Sequence, residues 1–262
     1  MIKNRGIIYF VIFVMVLALT SLSCEVANLP FLATETPTPT ATFTPSPTPT
    51  PSSTPTLIPT STPLPTGRVK EEQADGTTVF IDYDAGYQVT FPQNWIPVIS
   101  VEEDIEDIIN SLPEQEQNIS DIMEMAKNTG GEAYRVFALN FKAQEKIYTP
   151  NINISYQEDA IFSAVPMEDL IAANLEFLPS LGIEVLSSGV KNTSSGIETG
   201  FMDVKWALKI TENQKINLVQ RQIYFKSGKG MAVITISTTR ENPYDLSSDI
   251  EQLIESIQLL NN

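Results

Sequence analysis

Residues 36–66 hold ten prolines and twelve threonines, mostly as Thr-Pro pairs: Thr36-Pro37-Thr38-Pro39, then Thr44-Pro45-Ser46-Pro47-Thr48-Pro49-Thr50-Pro51. Proline lacks a backbone N–H and fixes φ, so neither helix nor sheet propagates through such a run. The segment is expected to take the polyproline II form, which at about 3.1 Å per residue reaches up to roughly 95 Å. It reads as a spacer, and its dense hydroxyls suit O-glycans. The 262-residue chain is therefore split into a short N-terminal part and a long C-terminal part that must fold separately.

The N-terminal part starts with Lys3 and Arg5, continues without charge from Gly6 to Leu19, and passes through Thr20-Ser21-Leu22-Ser23 to Cys24. A basic start, an apolar run and small residues before a boundary make an export signal. The uncharged run is shorter than the roughly 20 residues of a membrane span. The stretch resembles a bacterial lipobox, in which the cysteine is diacylated before cleavage just ahead of it. Ser23 fits that pattern; Ser21 stands where the pattern prefers Leu, and Leu22 comes one place late. The resemblance implies a lipid on Cys24, and two acyl chains meet the requirement for stable anchoring. The alternative is an uncleaved signal anchor, with residues 7–22 in the bilayer. Both readings place the rest of the chain outside the bacterial cell membrane. The expected organisation is a signal peptide over 1–23, a disordered Pro/Thr-rich stalk over 24–68 and one folded domain over 69–262.

The chain has 16 basic and 32 acidic residues; Lys3, Arg5, Arg68, Glu25 and Glu35 precede residue 69, which leaves the domain a net charge of −17. Such a charge repels nucleic acid and anionic headgroups, so no DNA or RNA partner is expected. Its simplest role is solubility. Cys24 is the only cysteine and the chain has no histidine. That removes an intramolecular disulfide, cysteine-based metal sites, Ser-His-Asp and Cys-His catalysis, and His-ligated zinc or iron. No cofactor is expected.

Period-two patterns predict strands over 78–83, 87–91, 134–141, 151–156, 183–190, 201–211, 216–225 and 231–238. The clearest puts Val204, Trp206, Leu208 and Ile210 on one face and Asp203, Lys205 and Lys209 on the other. Helices are predicted over 101–112, 113–127, 167–178 and 246–257. The first has an apolar stripe of Val101, Ile105, Ile108, Ile109 and Leu112, with Ser100 and Glu103 as a capping box. Consecutive hairpins argue for α+β: an antiparallel sheet covered by helices.

Gly86-Tyr87-Gln88-Val89-Thr90-Phe91-Pro92-Gln93-Asn94-Trp95 resembles the opening signature of the PsbP-like domains, a short strand ending in a Pro-x-x-Trp turn. Ile250-x-x-Leu253-Ile254-x-x-Ile257, followed by Gln258-Leu259-Leu260, is similar to their closing helix. The resemblance covers about residues 77–260. It implies an α/β/α sandwich with Tyr87, Phe91, Pro92 and Trp95 as structural signature residues. The insert at 101–131 departs from the shorter members. Photosystem accessory proteins, Ran-binding proteins and many bacterial lipoproteins belong to this family. Membership implies binding or assembly more than catalysis, and it carries no active site over to this chain.

From Glu71 to Glu124 there are fourteen acidic residues and no basic one. Glu102, Glu103, Asp104, Glu106 and Asp107 are the densest group. They offer a face to a basic envelope protein, or oxygens to a divalent cation such as Ca²⁺. The plainer reading is the solvated side of an amphipathic helix. Asp82-x-Asp84-x-Gly86 looks like the start of a calcium loop, but the twelfth position is Gln93 where a bidentate Glu is needed, so a hairpin turn explains it better. A carboxylate-dependent hydrolase of wall or extracellular glycan would need two buried, facing acids. Trp95, Trp206, Tyr224 and Phe225 are expected in the core. The leading expectation is a membrane-anchored, non-enzymatic binding or assembly domain; the hydrolase and a Ca²⁺-binding module are the alternatives.

Overall fold

The computed structural model describes residues 65–99, 134–143, 148–211, 214–228, 230–240, 242 and 244–260. The signal segment, Cys24, the stalk up to residue 64, the predicted helices over 101–127 and the acidic group Glu102–Asp107 lie outside them.

Two antiparallel sheets organise the described residues. The smaller is a meander of β1 (Arg68–Glu72), β2 (Thr78–Asp82) and β3 (Tyr87–Phe91), with β11 (Gln258–Leu259) on the far side of β3. The Asp82–Gly86 segment is a hairpin turn. Ala85 N–H donates to Asp82 Oδ1, and Gly86 closes the turn at φ 76°, where a side chain would be strained. The larger sheet contains β4 (Ile96–Val98), β5 (Val136–Leu139), β6 (Asn151–Glu158), β7 (Glu184–Asn192), β8 (Glu198–Thr211), β9 (Gln214–Ser227) and β10 (Gly230–Thr239). Its spatial order is β4-β5-β6-β10-β9-β8-β7. The helices are α1 (Ala160–Ala164), α2 (Met167–Phe177) and α3 (Ser247–Glu255).

Side-chain alternation on the large sheet builds two cores. On β10, Ala232, Ile234 and Ile236 face one core while Met231 and Val233 face the other. The first core packs the large sheet against Phe80, Val89 and Phe91 of the small sheet and against Leu253 and Ile254 of α3. The second packs the opposite face against Phe162 of α1 and Met167, Leu170 and Ile171 of α2. The expected architecture, an antiparallel sheet with helices on both faces, is therefore the one found. β10 is covered on both faces, which explains its near-continuous apolar run.

Strands β2, β3, β5 to β10 and helices α2 and α3 match the predicted segments to within a few residues. Three strands and one helix do not appear among the predictions. β1 reads Arg-Val-Lys-Glu-Glu, charged and largely exposed, and is a strand only because β2 offers it a free edge. β4 contains Pro97, which is tolerated because β4 is an edge strand. β11 has two residues, and α1 five, too few for either periodicity to register; α1 starts where Asp159 accepts from Ile161 N–H.

Helix α2 lies close to β8 at Gly200. A Cβ there would sit 2.8 Å from Ile171 Cδ1 and 2.9 Å from Met167 Sδ. Gly200→Ala is expected to lower stability by about 1–3 kcal/mol, as overpacking does, read as a fall in the urea midpoint with an unchanged slope.

Candidate functional site

The densest polar cluster sits where the small sheet meets the start of β5. Asp82, at the end of β2, has a side chain with no exposed surface, and Arg135 binds it through Nε at 2.5 Å and Nη2 at 2.7 Å. Arg135 Nη2 also lies 3.5 Å from Asp84 Oδ2. Hydrogen bonding to Asp82 holds the guanidinium's proton more firmly than usual. The two partners are 53 residues apart. β2 and β5 belong to different sheets, so this pair is one of the stitches between the layers.

Tyr87 stands beside this pair, fully buried, its ring edge-on to Phe225 at 5.3 Å. Its hydroxyl has no hydrogen-bond partner among the described residues. Burial first, and the negative Asp82 second, push that hydroxyl well above the ordinary tyrosine range. It stays protonated at any ordinary pH. The β9–β10 hairpin closes the cluster. Ser227 Oγ–H is shared between the carbonyls of Ala85 (2.7 Å) and Gly86 (2.9 Å), and Tyr156 O–H donates to the Ser227 carbonyl at 3.1 Å.

A second carboxylate–arginine pair lies on the β7–β8–β9 surface. Arg221 reaches Asp203 through Nε at 2.6 Å and Nη2 at 2.9 Å, and Ser187 O–H donates to Asp203 Oδ2 at 2.5 Å. Burial pushes the Asp203 carboxyl upward, but the hydrogen bonds from Arg221 and Ser187 outweigh it and hold the group below the ordinary 3.8. A carboxyl more acidic when folded adds stability that is complete above its unfolded value and is lost as the pH falls through the folded one. The stability gap between the wild type and Asp203→Asn is therefore expected to be flat above about pH 5 and to close at more acidic pH. Urea titrations between neutral pH and acid would show it.

Among the described residues, Asp82 is the fully buried carboxylate, and an arginine saturates it. They supply no second buried acid to face it, which is what a glycosidase pair needs. Nor do three Asp, Glu, His or Cys groups among them converge as they would around a metal ion. The described residues line two recesses of note. One, of about 280 Å³, lies between the β1–β2 turn and the Trp95 turn. Three of its polar side chains are turned on their neighbours: Thr77 Oγ1 to Asp75, Gln73 Nε2 to the Glu71 carbonyl, and Asn94 Oδ1 to Lys142 Nζ. The other, of about 210 Å³, includes Lys205, which is paired with Glu184 at 2.8 Å.

Tyr87 and Phe91 have no exposed surface, and Trp95 is buried, its indole Nε1–H donating to Asp249 Oδ2 of α3 at 2.8 Å. The Pro92 turn aims that indole, with Asn94 at φ 72°. Phe225 and Tyr224 are core, as expected; Trp206 is half-buried. Asp82 and Asp84 occupy a hairpin turn and bind Arg135, which no sequence signal linked to them. Cys24 and the Glu102–Asp107 group are beyond the described residues, as is any membrane span at the N-terminus. No described helix is long and apolar enough to cross a membrane.

No protein-family model matches the chain, and no curated protein does. Solved structures similar to it include cyanobacterial PsbP (CyanoP) from Synechocystis sp. PCC 6803, 10% identical over 71% of this chain and 94% of that one, with a TM-score of 0.42. LpqN, involved in cell envelope biogenesis of Mycobacterium tuberculosis, is 10% identical over 74% of this chain and 91% of its own, with a TM-score of 0.39. The Saccharomyces cerevisiae Ran-binding protein Mog1p is 10% identical over 75% of this chain and 97% of its own, with a TM-score of 0.36. The α+β architecture rests on the strand pairing itself.

Proposed function

We propose that this chain is a lipoprotein of the bacterial envelope. Its folded C-terminal part is a non-enzymatic binding or assembly domain, displayed outside the cell on the Pro/Thr stalk and anchored through Cys24. The observation that carries the binding role is how the polar groups are spent. The buried carboxylate is paired with Arg135, and Gln73, Thr77 and Asn94 of the larger recess are each bonded to a residue beside it. What is left for a partner is the surface, and with a net charge of −17 beyond residue 68 that surface favours a basic envelope protein. The order of basic start, apolar run, Cys24 and proline-rich spacer supports the anchoring.

Fractionation of cells making the full chain, and a Cys24→Ser variant, tests the anchoring. The wild type is expected in the membrane fraction with an acylated, processed N-terminus, and the variant without the acyl label. Full-length product free in the cytosol, with residues 1–23 intact and an unmodified thiol, would overturn it. Crosslinking of the displayed domain in intact cells tests the binding role. A recurrent basic envelope protein is expected; repeated recovery of the chain alone would count against the reading.

A further inference from the structure

The polypeptide enters the described fold at Gly67 and Arg68, and that entry is fastened more firmly than the strand it leads into. Gly67 N–H donates to Asp84 Oδ1 at 2.9 Å, and Tyr83 N–H donates to the Gly67 carbonyl at 2.9 Å. Arg68 Nη1 donates to the Arg135 carbonyl at 2.9 Å and approaches the Tyr134 carbonyl at 3.4 Å. The residues receiving these bonds are themselves tied down, since Arg135 is locked to the buried Asp82 and reaches Asp84. Two residues of the entering chain are thus pinned to the β2–β3 turn and to the segment that opens β5.

By contrast, β1 itself buries little surface. Four of its five residues are exposed, and Lys70 is half-buried. Among the described residues it is the outer strand of the small sheet and pairs with β2, from Arg68↔Asp82 to Glu72↔Thr78. A pull on the chain upstream of residue 67 loads the Arg68 end first. An antiparallel strand loaded at one end opens one ladder bond at a time, and without apolar burial each bond adds only about 1 kcal/mol. The pinning bonds lie at that loaded end, so they must fail before the ladder begins to open.

We propose that Gly67, Arg68, Asp84 and Arg135 form a strain-relief joint, which passes tension on the N-terminal segment to the β2–β3 turn and the start of β5 before it can peel β1. The source of that tension, a stalk fastened to a membrane, rests on the function proposed above; the joint does not.

Amide hydrogen exchange on the full-length protein in detergent micelles tests it, with Arg68→Gln and Asp84→Ala as the joint variants. Glu71→Gln, on an exposed side chain of the same strand, is the control. Losing a charge-assisted contact is expected to speed exchange over residues 68–72 about tenfold in each joint variant. Peptides from β10, and the control throughout, should match the wild type. Unchanged exchange in β1 would overturn the joint. So would a rise in β1 matched by β10, which would mean general loosening, or an equal effect of Glu71→Gln. Cys24 is the only thiol, so a chain kept in the cytosol accepts a pulling handle there. Stretched from that point, Arg68→Gln should release β1 at a lower force than the wild type; equal forces would overturn the proposal. Failure of the fractionation test would remove the membrane attachment and leave each of these outcomes as stated.

Discussion

Replacing Arg135 with methionine is expected to cost about 3–5 kcal/mol of folding stability, the largest single effect foreseen for this fold. The size follows from what is left behind. Asp82 has no exposed side-chain surface, and its partners are the Arg135 guanidinium and the Ala85 N–H. Without the arginine, a carboxylate stays in the interior with one amide for company, whereas the unfolded chain keeps it in water. The double variant Asp82→Asn/Arg135→Met should recover a large part of the loss, because a neutral amide still accepts from Ala85 and leaves no charge unpaired. Urea unfolding followed through Trp95 and Trp206 measures both. A loss below about 1 kcal/mol in the single variant, the range of an exposed ion pair, would show that the pair is solvated and not buried.

Trp95→Ala is expected to cost a comparable amount, about 3–5 kcal/mol, by leaving a cavity the size of an indole in the first core. Trp95 is 3% exposed and touches both layers: it follows the Pro92 turn of the small sheet, and its Nε1–H holds Asp249 of α3. Trp95→Phe keeps most of the ring and loses that bond to a charged acceptor, so a smaller loss of about 1.5–3 kcal/mol is expected. If Trp95→Phe and Asp249→Asn together cost the sum of the two singly, the hydrogen bond contributes nothing of its own; a sum well above the double is the expected result.

These two sites differ in how visible they are before folding. Trp95 is announced locally by Pro92-Gln93-Asn94-Trp95, a turn whose residues are neighbours in the chain. Its partner Asp249 is not announced, since nothing in the closing helix singles out one of its several acids. Asp82 drew notice as part of an Asp-x-Asp-x-Gly spacing, which Gln93 at the twelfth position already assigned to a hairpin turn, but nothing in the spacing told what its carboxylates bind. Arg135, which decides the matter, lies 53 residues away on another sheet. The acidic group at 102–107 drew notice by charge density alone and lies beyond the described residues.

Composition and local order determined a great deal here. The missing histidines bar several chemistries, and the alternation in β8, β9 and β10 sets which side chains face which core. Each of these depends only on residues close together in the chain. Tertiary structure alone decided that β1, β4 and β11 are strands at all. A strand at a sheet edge is made by the unpaired N–H and C=O groups its neighbour presents, so its own side chains need carry no pattern. It also decided what the buried carboxylate at Asp82 is paired with, because only the packing of two sheets brings the Arg135 guanidinium within reach.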